Sequence, residues 1–92
     1  MEEEARIQKL LEDAKMVELK PVISSNISAV GYNENSKLLK ISFKGKGDTF
    51  NTYLYENVEP EVYNKMFESE SVGKYLSENV IRQKDKYKFI KL

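Results

Sequence analysis

The side chains in this 92-residue chain whose types and spacing could do chemistry are lysines, arginine and tyrosines. Residues 37–46 carry Lys37, Lys40, Lys44 and Lys46 and no acid, and residues 79–92 carry Arg82, Lys84, Lys86, Lys88 and Lys91 against Asp85 alone. Between the two runs stand Tyr53 and Tyr55. Lysines that track phosphates beside tyrosine rings that stack on unpaired bases are how a protein holds single-stranded RNA or a similar polyanion. The plainer alternative is a pair of lysine-edged strands, a common guard against edge-to-edge association.

Other chemistries find little support. With neither His nor Cys, zinc fingers, Cys–His or Ser–His–Asp nucleophiles and disulfides are excluded. Gly45-Lys46-Gly47 lacks the order of a phosphate-binding loop and sits between two strands rather than before a helix, so it reads as a hairpin turn. Glu59, Glu61, Glu68, Glu70 and Glu78 fall mostly on the solvent side of helices and read as a wet acidic face. General acid–base catalysis without His needs a carboxylate or lysine in a pocket, and no spacing here supplies one. The expectation is a non-enzymatic protein with no metal or cofactor.

The 15 basic and 15 acidic residues cancel, which argues against a global field for nucleic acid. The cancellation is between blocks. Residues 1–36 hold four basic and seven acidic side chains (−3), 37–46 come to +4, 47–78 hold two basic and seven acidic (−5), and 79–92 come to +4. Any electrostatic function must therefore be local.

The elements that would position these groups can be read from periodicity. The length suits one domain with one thin core. The start, MEEEARIQKL, is acidic where a signal peptide is basic, and no run is long and apolar enough to span a membrane, so a cytoplasmic protein is expected. Ile7, Leu10, Leu11, Ala14 and Val17 predict a helix over residues 2–18, with Glu2, Glu3 and Glu4 at the positive end of its dipole. Its narrow stripe leaves three placements open: packing on the domain, pairing with another copy as a homo-oligomer, or docking a partner protein. From Ile27 to Tyr55 the period becomes two. Strands are predicted over Ile27–Tyr32, Leu39–Lys44 and Thr49–Tyr55, with turns at Asn33–Ser36 and Lys44–Asp48, giving a three-stranded antiparallel meander. Pro60 opens a helix carrying Val62, Tyr63, Met66 and Phe67. Val72, Tyr75, Leu76 and Val80 mark another, capped by Ser69 or Ser71, and Lys86–Leu92 suits a last strand. The fold class is α+β: the meander with a C-terminal strand, two helices on one face, and an additional N-terminal helix. Residues 1–20 form that helix and 21–92 the α+β part.

Strand faces decide the site. If Leu54 and Phe50 share the core face with Leu39, Ile41 and Phe43, then Tyr53 and Tyr55 lie on the open face beside Lys40 and Lys44 as a stacking platform. If the tyrosines face the core, their hydroxyls need partners there and the platform vanishes. A core this small has few large side chains to spare, which favours the second arrangement.

The order of residues resembles the KTSC domain, a short module named from the C-terminus of some lysyl-tRNA synthetases and found free-standing in bacteria and phages. The resemblance runs from about Ser24 to Phe89. It rests on Ser24-Ser25-Asn26-Ile27 leading to Gly31-Tyr32, on Leu39-x-Ile41-x-Phe43, and on Tyr53-x-Tyr55 followed by Val58. It continues through Pro60-Glu61-Val62-Tyr63, Ser71-x-Gly73-Lys74-Tyr75 and Ile81-Arg82. Two departures are visible: Glu59 separates Val58 from Pro60 where the family joins valine to proline, and Leu76 stands where phenylalanine is common. The N-terminal helix lies outside the resemblance, which implies no established activity but carries a suggestion of RNA binding.

The leading expectation is thus a binding module contacting RNA or another polyanion through Lys40, Lys44, Lys46, Arg82, Lys84 and Lys86, with Tyr53 and Tyr55 stacking. The alternatives are a phage or bacterial accessory protein acting on a host protein through its acidic segments, and a small-ligand sequestering protein.

Overall fold

The computed structural model describes residues 2–45, 50–83 and 85–92. Lys46 and Lys84, and the expected turn beyond Gly45, lie outside the described residues. Five strands form one sheet in the order β1 (Lys20–Pro21), β2 (Ile27–Asn33), β3 (Leu38–Lys44), β4 (Phe50–Tyr55) and β5 (Phe89–Lys91), and every neighbouring pair is antiparallel. Asn33 builds the β2–β3 turn, its Oδ1 accepting from the backbone N–H groups of Asn35 (2.9 Å) and Ser36 (3.2 Å). The positive φ of that turn falls on Lys37 (56°) rather than on an asparagine. β1 is a two-residue edge strand that no periodicity announces, and its Pro21 suits an edge.

The register sorts side chains between two faces. Leu39 pairs with Tyr55 and Ile41 with Tyr53, while Lys40 pairs with Leu54 and Ser42 with Thr52. Leu39, Ile41, Tyr53 and Tyr55 therefore share one face, and Leu38, Lys40 and Leu54 share the other. The first face carries the main core: Ile27, Val30, Leu39, Ile41 and Val58 packed with Met66, Leu76, Val80 and Tyr87. Helix α2 (Pro60–Glu68), α3 (Val72–Leu76) and the π-helical turn Ser77–Ile81 that continues it cover this face. The opposite face is covered by α1 (Glu2–Lys15) and the turn after it, where Leu10 and Ala14 of the helix and Val17 just beyond it pack on Leu38 and Leu54. Helices thus lie on both sides of the sheet, and the α1 stripe packs on the domain itself.

Local chemistry explains the helix ends. α1 stops at Lys15, earlier than its stripe predicts, because the N–H groups of Met16 and Val17 close on Asp13 and Ala14 three residues back. α2 opens on Pro60, whose missing N–H costs nothing there, and Ser69 Oγ donates to the Met66 carbonyl at its end. Ser71 caps α3, its Oγ accepting from Lys74 N–H (3.2 Å). The predicted second helix divides at Ser77, where the backbone widens and Arg82 N–H bonds the Ser77 carbonyl (3.0 Å).

Gly31 is where the α1 connection crosses the sheet. A Cβ there would lie 2.3 Å from the Glu18 carbonyl oxygen and 2.9 Å from Val17 Cγ1. Because the nearer atom is backbone, the segment must shift to admit a methyl group. Gly31→Ala is expected to cost about 1–3 kcal/mol, measured as a fall in the urea midpoint at unchanged slope; an unchanged midpoint would show that this segment does not press on β2.

Candidate functional site

On the main core face the helices leave one corner uncovered, at the β3–β4–β5 side of the sheet. There Phe43, Asn51, Tyr53, Tyr55, Ile81 and Phe89 line a groove of about 370 Å³. The strands position five of these residues by alternation. Asn51 lies opposite Phe43 and Phe89 opposite Tyr55 in register, so the side chains share a face. Ile81 arrives from the π turn, which carries the chain from buried Val80 to the groove wall. The rings pack mostly edge-to-face: Phe43 on Tyr53 (centroids 5.6 Å, 78°), Tyr53 on Phe89 (6.0 Å, 63°), and Tyr55 tilted on Phe89 (5.7 Å, 37°).

Within the groove Tyr55 is 5% exposed and forms the floor, Tyr53 is half-buried, and Phe89 stands 49% exposed at the rim. Burial pushes the Tyr55 phenol pKa up, and the neighbouring Tyr53 adds to the shift. Burial likewise raises the phenols of Tyr32, Tyr63 and Tyr75. The Tyr53, Tyr55 and Asn51 side chains meet no hydrogen-bond partner among the described residues. No charged side chain lines the groove among the described residues.

The lysines expected beside the tyrosines lie elsewhere. Lys40 sits on the α1 face and donates from Nζ to the Ala14 carbonyl (3.2 Å), and Lys44 Nζ donates to the Ser24 carbonyl (2.8 Å). β5 pairs with β4 and not with the lysine-bearing β3, so the two basic runs do not merge across a shared strand pair. Lys86 lies over the Tyr87 ring (5.4 Å) in a different groove, with Glu59, Glu61 and Tyr75. Exposed Arg82 directly follows Ile81, and exposed Lys91 lies opposite Tyr53 in register. The structure thus brings Tyr53 and Tyr55 together with Arg82 and Lys91 nearby, and separates them from Lys40. Phe89 and Asn51 were not among the expected site residues. Their signal was weak, since a short last strand with two apolar faces does not declare its partner.

A second groove, of about 590 Å³, runs between α1 and the β2–β3 turn. In it Arg6 Nη1 donates to Glu56 Oε1 at 2.6 Å, which ties α1 to the end of β4. Among the described residues no group of three or more carboxylates could hold a metal ion, and no helix is long and apolar enough to cross a membrane.

Most residues of the sequence signature serve packing. Ser24 Oγ accepts from the N–H groups of Asn26 (3.4 Å) and Ile27 (3.3 Å), and a Cβ on Gly73 would lie 2.8 Å from that Oγ and 2.7 Å from Asn26 Oδ1. Glycine there lets α3 seat on the loop. Tyr32 donates to the Val58 carbonyl and stacks on Tyr63 (4.9 Å), and Tyr75 donates to the Val62 carbonyl (2.8 Å). Phe43, Tyr53, Tyr55 and Ile81 differ from these in lining an open groove.

An antiparallel five-stranded sheet with C-terminal helices on one face and this internal stitching defines a small α+β module. The chain belongs to the KTSC domain family, whose pattern matches residues 23–87. It is similar to a protein of Tsukamurella paurometabola, 37% identical over 59 residues that make up 64% of this chain and 82% of the relative. Its fold is similar to the crystal structure of a KTSC domain protein from Yersinia pestis, with a TM-score of 0.68 and 28% identity over 83% of this chain and 97% of that one. α1 precedes the matched region.

The raised phenols have a pH consequence. A group whose folded pKa lies above its unfolded value contributes stability that is present below the unfolded pKa and lost as pH rises through the folded one. For Tyr32, Tyr55, Tyr63 and Tyr75 the upward shifts place that window above the ordinary phenol range. Alkaline titration followed by phenolate absorbance should show these tyrosines ionising late, with unfolding free energy falling across the same window. Titration of Tyr32, Tyr55, Tyr63 and Tyr75 at the ordinary phenol value would contradict their burial.

Proposed function

We propose that this KTSC domain is a non-enzymatic binding module that holds single-stranded RNA by stacking an unpaired base in the aromatic groove. The single observation that supports this most is the cluster of Phe43, Tyr53, Tyr55 and Phe89 at an uncovered corner of the sheet. Base faces stack on accessible aromatic rings irrespective of sequence, at about 1–3 kcal/mol per base; the open-face platform of Tyr53 and Tyr55 is absent, and the accessible rings are exposed Phe89 with half-buried Phe43 and Tyr53, Tyr55 lying buried beneath them. Charge narrows the ligand class. No charged side chain lines the groove among the described residues, Arg82 and Lys91 stand beside it, and the segment from residue 79 onward carries five basic residues against one acid. Those surroundings disfavour a cationic guest and favour a strand whose phosphates stay outside while a base enters. A duplex would keep its bases stacked away from such a groove.

The test is fluorescence anisotropy with pooled single-stranded RNA at about 50 mM salt. Phe89→Ala and Tyr53→Ala are each expected to weaken binding by about 1–3 kcal/mol. Arg82→Ala should flatten the dependence of log affinity on log salt by about 0.7 per lost phosphate contact, whereas Lys40→Ala should leave it unchanged. Absence of binding to the pooled RNA, or indifference to Phe89→Ala, would overturn the proposal.

A further inference from the structure

We infer that this chain self-associates through the open edge of β5, which pairs antiparallel with β5 of a second copy about a two-fold axis and continues the sheet. The inference does not depend on RNA binding. The two edges of the sheet differ. At β1, Pro21 lacks an N–H and blunts the edge. β5 contains no proline, and its pairing with β4 fixes which backbone groups point outward. Glu56 N–H donates to the Lys88 carbonyl (2.9 Å) and Leu92 N–H to the Thr52 carbonyl (2.8 Å). Hydrogen-bonded positions alternate along an antiparallel pair. Lys88, Ile90 and Leu92 therefore turn their backbone groups to β4, while Phe89 and Lys91 turn theirs away from the sheet. Those outward N–H and C=O groups meet no partner among the described residues.

The side chains of the same strand are the second observation. Phe89 is 49% exposed on the groove face, and on the other face Leu92 is 42% exposed beside half-buried Ile90. Apolar surface is thus open on both sides of the strand whose outer backbone is unpaired.

One register suits a second copy. With Ile90 facing Ile90 of the second copy across the axis, Phe89 of each copy lies opposite Lys91 of the other, and the outward backbone groups of both residues bond reciprocally. The lysine stem covers the exposed ring and its ammonium meets the ring face. An axis at Lys91 would set two ammonium groups directly opposite, which is unfavourable. An axis at Phe89 would set Lys91 opposite Tyr87, which is buried and lies outside β5. Lysine on an edge strand ordinarily guards against association, but here it excludes one register and supports another. An unrelated strand would offer the backbone bonds without the exchange of Phe89 and Lys91, so a second copy is the occupant that fits. Lys91 of that copy then adds a cation at the Phe89 rim of the aromatic groove. Strands of three residues bury less than the roughly 1,200 Å² of a lasting interface, so the dimer is weak and depends on concentration.

Sedimentation equilibrium of the full chain from about 10 µM to about 1 mM is expected to show monomer and dimer in exchange. Lys91→Pro, verified as folded by circular dichroism, removes an outward N–H while leaving the bonds to β4, and should weaken the dimer at least about fivefold. The chain has no cysteine. Ile90→Cys therefore places one thiol per copy on the axis, at the close spacing of a non-hydrogen-bonded pair. Under mild oxidation it should form a disulfide-linked dimer faster than Lys88→Cys, whose thiols lie apart in this register. Where Lys91→Pro does not fold, the crosslinking comparison decides alone. A chain still monomeric at about 1 mM, a dimer indifferent to folded Lys91→Pro, or crosslinking through Ile90→Cys no faster than through Lys88→Cys would each overturn the inference.

Discussion

Leu39 opposite Tyr55 and Ile41 opposite Tyr53 set the register between β3 and β4, and nearly every other placement follows from it. A slip of one residue would exchange the faces: Lys40 would enter the core and Leu39 would meet α1. Contacts on both sides hold the register. On one side Lys40 reaches the Ala14 carbonyl and Leu54 packs beneath α1. On the other, Ile41 and Tyr55 join the cluster completed by Met66, Leu76 and Tyr87. Burying the sheet on both faces is what makes the alternation binding, because neither set of side chains could move to water without loss.

The cover on the second face comes from outside the family match. Residues 23–87 contain every buried residue of the first-face core, yet they also contain Leu38 and Leu54, which without α1 would be exposed apolar surface. α1 and the turn after it remove that surface from water through Leu10, Ala14 and Val17. The contact requires a close crossing at Gly31 and is reinforced by Arg6 against Glu56, a residue only 8% exposed. Removing one partner of a pair in such a position leaves the other charge poorly solvated. The ion pair therefore restricts where α1 can rest more than it adds to stability.

Much of this organisation was legible in the sequence, and what was not shares one cause. The 3.6 period of α1, the period-two runs of β2 to β4, Pro60 at a helix start and Ser71 as a cap are local signals, and local chemistry produced them. The face occupied by Tyr53 and Tyr55 is nonlocal, because β4 is apolar on both sides and only pairing with β3 decides between them. β1 is too short to show a period. The positive φ of the β2–β3 turn falls on Lys37, a residue type that does not announce it, while Asn33 serves as the side-chain acceptor of the turn. For the candidate site, Tyr53 and Tyr55 could be named in advance, but Lys40 and Lys44 join them only if Leu54 shares the face of Leu39 and Ile41, and the register pairs Leu54 with Lys40 instead. Phe89 and Asn51 join the groove only through the pairings of β5 and β3 with β4.

The groove exists because the helical layer is too small for its sheet. α2, α3 and the π turn together span residues 60–81, and they cover the β2–β3 region where Val30, Leu39 and Ile41 are fully buried. Over the β4–β5 corner Ile81 alone arrives among the described residues, and there Tyr53 is half-buried and Phe89 49% exposed. Scattered exposed apolar residues are ordinary on any protein, whereas contiguous ones call for an explanation. A small core would gain by turning Phe89 inward or by replacing it with a polar residue. Instead the chain keeps Phe43, Tyr53 and Phe89 in contact around an opening, with the Tyr55 hydroxyl meeting no partner among the described residues. Folding alone draws no benefit from that hydroxyl. A guest that brings both a flat apolar face and a hydrogen-bonding edge would satisfy the rings and the hydroxyl together.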